Sequence, residues 1–120
     1  MDRRSFLKSS SAALAGSSAT LLPLAAMAAD DIVVGSIHDL SGGLDIYGKP
    51  MADCMTLAVE ELNAAGGLLG RKLKLATYDP QSNMQLYAQF AQQSALKDKA
   101  AVVMGGITSA SREVIRPVLA

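Results

Sequence analysis

Ala101-Val-Val-Met-Gly-Gly-Ile-Thr-Ser-Ala-Ser-Arg112 carries a short apolar run through a glycine pair into a hydroxyl-rich stretch. The run from Ala100 to Met104 suits a strand covered on both faces. Gly105 and Gly106 let the backbone turn tightly and approach a ligand closely. Thr108, Ser109 and Ser111 then supply hydroxyls where a helix begins, beside backbone N–H groups that have no intrahelical partner. Such an end carries partial positive charge and accepts carboxylates, phosphates or carbonyl oxygens. The same residues also serve as plain N-caps, so this stretch alone leaves a cap and a ligand clamp both open.

The pattern upstream repeats twice more. Asp31-Ile-Val-Val-Gly-Ser-Ile37 is a short strand rich in β-branched residues, followed by the loop His38-Asp-Leu-Ser-Gly-Gly-Leu-Asp-Ile-Tyr-Gly48. Pro50 suits a first helical turn, and Met51, Met55, Ala58 and Leu62 recur at helical spacing until Gly66-Gly67 stops the helix. Arg71 to Tyr78 alternates lysine with leucine, as an edge strand does. Ser82-Asn-Met-Gln85 has capping-box spacing and opens a second helix, with Met84, Tyr87, Ala88, Ala91 and Ala95 as its buried stripe. Lys97-Asp-Lys99 closes that helix, and the third strand follows. Three strand–helix units with short loops predict an α/β, doubly wound parallel sheet with right-handed crossovers. Ligands of such sheets sit beyond the carboxyl ends of the strands, where the strand order reverses. With strand 1 between an edge strand 2 and strand 3, that crevice belongs to residues 38–48 and 105–111. The ligand clamp gains weight from this placement.

The first 28 residues read differently. Arg3-Arg4 precedes Phe6-Leu7-Lys8, no charge follows from Ser9 to Ala29, and Ala26-Met27-Ala28 is a small-x-small cleavage site. This is the pattern of a twin-arginine export signal, residues 1–28, which would engage the twin-arginine export machinery and be removed. An uncleaved anchor is disfavoured by the Ala- and Ser-rich run, by Pro23 and by the cleavage site. Of 11 basic and 11 acidic residues, the signal takes Arg3, Arg4, Lys8 and Asp2, leaving 8 against 10 and a net charge of about −2. No basic cluster remains to suggest nucleic acid. Cys54 is alone, so no intrachain disulfide forms, and it lies too far along for a lipoprotein anchor. These features predict a periplasmic protein. The chain stops at Arg116-Pro-Val-Leu-Ala120 within a helical pattern, which reads as part of a longer protein.

Asp31-Ile-Val-Val-Gly, Leu40-Ser-Gly42, Tyr47-Gly48 and the run from Ala58 through Asn63, Gly66, Gly67 and Gly70 to Leu73 resemble the type I periplasmic binding proteins. The resemblance is to the leucine-binding-protein-like group that serves branched-chain amino acid, urea and short-chain amide ABC importers. It implies that residues 29–120 form the first part of an N-terminal lobe. It implies, too, capture of a small-molecule solute (an amino acid, amide or urea) for a cognate ABC permease in the inner membrane, without cofactor or catalysis. Ser109 aligns with the serine that binds the ligand's carboxylate or carbonyl oxygen. Tyr47 aligns with the aromatic that closes over the ligand, and Thr108 and Ser111 belong to the anion-accepting helix start. Ile107 stands where amide and urea binders carry an aromatic. Gly105 to Arg112 with Pro117 is most similar to amide and urea binders, whereas the first loop is closer to amino acid binders.

Other candidates are weaker. His38-Asp39 invites a catalytic reading, but no serine elbow or second histidine accompanies it, so His38 is expected in a loop near the cleft mouth. Cys54 is expected as a small buried hydrophobe, and the methionines as core filler rather than metal ligands. Gly42-Gly43 and Gly66-Gly67 lack nucleotide-binding spacings and read as turns. Two alternatives stay open. An exported α/β oxidoreductase would need a dinucleotide fingerprint after strand 1, which residues 35–42 do not supply. A ligand-sensing regulator or receptor domain on the same fold would need an anchor that the cleavable signal does not provide.

Overall fold

The computed structural model describes residues 30–120; the expected export signal, residues 1–28, lies outside them. Three strands, β1 (Ile32–Ile37), β2 (Leu73–Tyr78) and β3 (Val102–Gly105), alternate with three helices, α1 (Asp45–Ala64), α2 (Met84–Leu96) and α3 (Ser109–Leu119). All strands are parallel, in the order β2-β1-β3. The chain therefore winds outward from β1 to β2, then crosses to the other side, and the strand order reverses between β1 and β3. This is the doubly wound arrangement that the strand–helix repeat predicts.

Alternation along β1 sends its side chains to two faces. Val34 joins Met55 and Leu73 under α1, with Val59 and Leu75 against them. Ile37 points the other way, into a core with Tyr87, Ala91 and Ile115 from α2 and α3. Tyr78 stacks on Phe90 at the rim of this second core, ring centroids 4.9 Å apart, and its hydroxyl bonds the Asp98 carboxylate. Gly35 packs closely against α2: a Cβ there would lie 2.3 Å from Ser94 Oγ, so that hydroxyl would have to turn away.

Several sequence expectations shift. β3 is not covered on both faces. It is an edge of this three-stranded sheet, and Val102 and Met104 are each about half exposed beside α1. The buried residues of α1 are Gly48, Ala52 and Met55, so of the expected stripe only Met55 is buried. Met51, Ala58 and Leu62 instead line an open groove of about 590 Å³ together with Cys54, Val102 and Met104. Cys54 is accordingly exposed, not a buried hydrophobe. Pro50 lies in the second turn of α1 rather than the first, because the helix already begins at Asp45. The carbonyl it leaves without a helical partner, four residues earlier, belongs to Ile46, which is exposed. In α2 the buried positions are Tyr87, Ala91 and Ser94.

Asn63 and the glycines after it have a mechanical role at the opposite end of the sheet. Its side-chain amide donates to Leu73 O at 2.8 Å and accepts from Leu73 N–H at 2.7 Å, tying the end of α1 to the start of β2. Gly67, at φ +80°, lies so close to the Arg71 carbonyl that any Cβ would collide with it.

Candidate functional site

The reversal of strand order puts two loops side by side at the carboxyl ends of β1 and β3. Ile37 and Gly105 are register partners, so both strands end at the same level. Gly106 N–H reaches Ile37 O at 3.3 Å. Gly105 and Gly106 both take positive φ, and a Cβ on Gly105 would strike the Ile37 carbonyl. Only glycine lets the chain leave β3 this close to β1.

α3 then starts with a complete capping box. Thr108 is the N-cap; its hydroxyl accepts from Ser111 N–H at 3.1 Å, while Ser111 Oγ accepts from Thr108 N–H at 3.2 Å. Ser111 is fully buried and its hydroxyl is taken up by this box. Ser109, by contrast, is exposed at the first position of the helix. The cap is therefore closed by Thr108 and Ser111 without it. Ile107, just before, is 39% exposed. Sequence alone could not separate capping hydroxyls from a free one, since Ser and Thr perform both tasks; the geometry separates them.

The loop after β1 is held by two carboxylates. Asp79, at the end of β2, accepts from Leu40 N–H at 2.9 Å, Ser41 N–H at 3.2 Å and Ser41 Oγ at 2.7 Å. Burial alone would raise its pKa. The hydrogen bonds from Ser41, Gln81 and Leu40 outweigh that and hold the carboxyl below its ordinary value. Asp39 is buried and accepts from Ser82 N–H at 2.7 Å, Ser82 Oγ at 3.1 Å and Tyr87 Oη at 2.8 Å. Burial, and then the bond to Asp39, push the Tyr87 phenol well above its ordinary range. Asp79, Ser82 and Tyr87 do not figure among the sequence-derived site residues, and Asp39 figures only within the first loop and beside His38 in the catalytic reading set aside above. Each partner is about 40 residues away along the chain, and no local pattern joins them.

His38 is the first loop residue after β1, as expected, but it is buried rather than open at a cleft mouth: it is 4% exposed, and its Nδ1 lies 2.9 Å from Ser36 Oγ. Burial lowers its pKa against the opposing pull of the Asp39 carboxylate. Ser82 is not the cap of α2. That cap is Asn83, whose side chain accepts from Gln85 and Leu86 N–H groups. Tyr47 is 55% exposed in the first turn of α1, where the β1 loop ends. The fold thus gathers Ile107, Thr108, Ser109 and Ser111 after β3, and puts Tyr47 at the helix start that follows the neighbouring strand. The groove beside β3 is a separate feature of the sheet face. It offers only His38 and Cys54 as polar groups, too few to orient a polar solute. Among the described residues no cluster of His, Cys, Asp or Glu could hold a metal ion, and no helix is long and apolar enough to cross a membrane.

A parallel sheet with helices on both faces and an open crevice at its switch point defines the class of α/β ligand-binding domains. Within it, the model for the periplasmic binding protein domain matches residues 32–120, and the chain belongs to that family. It is 43% identical over 72 residues to Leu/Ile/Val-binding protein homolog 7 of Brucella suis, covering 60% of this chain and 18% of that protein. Homolog 8 of Brucella abortus is 42% identical over 55 residues, 46% of this chain and 14% of the relative. The chain thus spans about a fifth or less of the curated relatives it matches. Among solved structures, the branched-chain amino acid transporter substrate-binding protein LivJ of Streptococcus pneumoniae, in complex with isoleucine, superposes with a TM-score of 0.69. Identity is 29%, over 71% of this chain and 24% of that one. An amino acid ABC transporter substrate-binding protein of Pseudomonas fluorescens gives 0.68 at 26% identity, covering 77% and 24%. The fold is that of the type I periplasmic binding proteins.

Proposed function

We propose that this chain supplies one wall of the solute cleft in the extracytoplasmic binding component of an ABC importer. The solute is a small amino acid of the branched-chain type, with an amide or urea as the narrower alternative. Residues 29–120 correspond on this reading to the first part of the N-terminal lobe, residues 1–28 to a cleaved twin-arginine signal, and the site of action is the periplasm. No bond is made or broken. Closure of two lobes on the solute traps it and presents the complex to the permease.

The observation that carries this is the start of α3. Its cap is complete without Ser109, which leaves that hydroxyl and the first N–H groups of the helix available to a carboxylate or carbonyl oxygen at the switch point. The relatives of leucine, isoleucine and valine binding support an amino acid. The test is a thermal-shift screen of the full-length protein against isoleucine, leucine, valine, urea and short-chain amides, since a specific ligand raises stability by mass action. A shift with the aliphatic amino acids supports the main reading and a shift with urea or amides the narrower one. Absence of any shift overturns both.

A further inference from the structure

We propose that Ser82 is a positioning residue for the solute-facing wall, its hydroxyl setting Tyr47 through the start of α1; this rests on the solute-binding reading above. Leu44, the N-cap of α1, has no side chain able to cap. Its own N–H donates instead to Ser82 Oγ at 3.1 Å, supplied from 38 residues away. The same hydroxyl donates to Asp39 Oδ2 at 3.1 Å, and Ser82 N–H donates to Asp39 Oδ1 at 2.7 Å. One residue from the β2 loop therefore closes both ends of the β1 loop, Asp39 and Leu44, into a ring. Tyr87 anchors that ring to the core through its 2.8 Å bond to Asp39.

The ring fixes Tyr47 from both sides. Leu44, three residues before it, is held by Ser82. Gly48, immediately after it, lies so hard against the Asp39 carbonyl that a Cβ would come within 1.9 Å. The first turn of α1 has no room to slide relative to Asp39. Ser82 adopts a left-handed φ of +56° beside Gln81 at +54°, in a tight turn closed by Asn83 N–H donating to Pro80 O at 2.8 Å. That turn, built independently of α1, is what carries the Ser82 hydroxyl to the neighbouring loop.

Ser82→Gly isolates this role. It keeps the backbone N–H that bonds Asp39, suits the left-handed φ and removes the hydroxymethyl group that makes the two side-chain bonds. Isoleucine and urea would be titrated calorimetrically into the full-length protein as wild type, Ser82→Gly, Tyr47→Ala and the double variant, with urea-unfolding midpoints measured alongside. The expected result is about a three- to tenfold weaker affinity for Ser82→Gly, the scale of one hydrogen bond, at an unchanged or higher unfolding midpoint. In the Tyr47→Ala background the same change should cost less than about twofold, because a group acting through Tyr47 has nothing left to position. Wild-type affinity in Ser82→Gly, or losses that multiply in the double variant, would overturn the proposal and leave the solute-binding reading standing. If neither titrant binds the wild-type protein, that reading falls and the proposal with it.

Discussion

At the scale of single residues, the division of labour at the start of α3 has a direct consequence. Ser109 is not needed to cap the helix, so its replacement should spare stability and remove a contact to solute. A hydrogen bond to a charged group contributes about 1.5–3 kcal/mol, and Ser109→Ala should weaken binding by roughly ten- to a hundredfold in calorimetry. Ser111→Ala should behave oppositely. It breaks the capping box and lowers the unfolding midpoint, with a cost of about 1 kcal/mol. Equal affinity in Ser109→Ala and wild type would remove Ser109 from the site. His38 gives a pH prediction. Its folded pKa is lowered by burial, so the unfolded chain takes up a proton first as pH falls below 6.5. Stability from this residue is therefore full above that pH and declines as acidification proceeds toward the folded pKa. His38→Asn, whose amide oxygen can take the place of Nδ1 opposite Ser36, should flatten the fall in urea midpoint between pH 7 and pH 5.5; an unchanged slope would assign it to other groups. The hydroxyl-rich turn was legible in sequence because glycine and hydroxyl residues stand in a row. Asp39, Ser82 and Tyr87 were not, because their bonds form only once β1, β2 and α2 are brought together.

At the scale of elements, periodicity identified every strand and helix; the differences lie at their ends and in how much of each face is covered. Ser82 to Gln85 has capping-box spacing, yet the helix starts one residue later, where the Asn83 amide accepts two N–H groups. Two adjacent residues could each have capped; the tertiary bonds of Ser82 decided between them. Pro50 reads as a helix start on local grounds, but α1 begins five residues earlier because Leu44 and Gly48 are fixed from outside the helix. In α1 periodicity picks out a broad apolar face but not how much of it is covered: Met55 is buried against Val34 and Leu73, while Met51, Ala58 and Leu62 on the same face border the open groove. The Asn63 region was legible as distinctive and its reason is now mechanical. Asn63→Ala removes both partners of the Leu73 backbone, one a donor and one an acceptor. It should destabilise the protein by about 2 kcal/mol, within the range for leaving buried polar groups unpaired. Solute affinity should hold, since this joint lies at the end of the sheet away from the β1 and β3 loops. A fall in affinity without a fall in unfolding midpoint would contradict that separation.

At the scale of the whole molecule, the described residues form a sheet with one face covered by two helices and the other by one. α2 and α3 close the face below Ile37. α1 covers only β1 and β2 on the opposite face, so Val102 and Met104 remain about half exposed beside the groove. Parallel sheets are stable when both faces are buried, and the outer edge of β3 offers unpaired N–H and C=O groups. The proposed crevice is equally one-sided: Ser109 and Tyr47 both stand exposed. A polypeptide of residues 30–120 should therefore be weakly stable, bind a fluorescent apolar dye through the groove, and show no isoleucine binding at micromolar concentration in calorimetry. Met104→Lys, on the exposed face of β3, should reduce that dye binding without affecting the core formed by Ile37, Tyr87, Ala91 and Ile115. Cooperative unfolding with no dye uptake would show that three strands and one covered face suffice for a stable unit. Micromolar isoleucine binding by the same polypeptide would show that one wall alone holds the solute, and that closure of a second lobe adds little to capture.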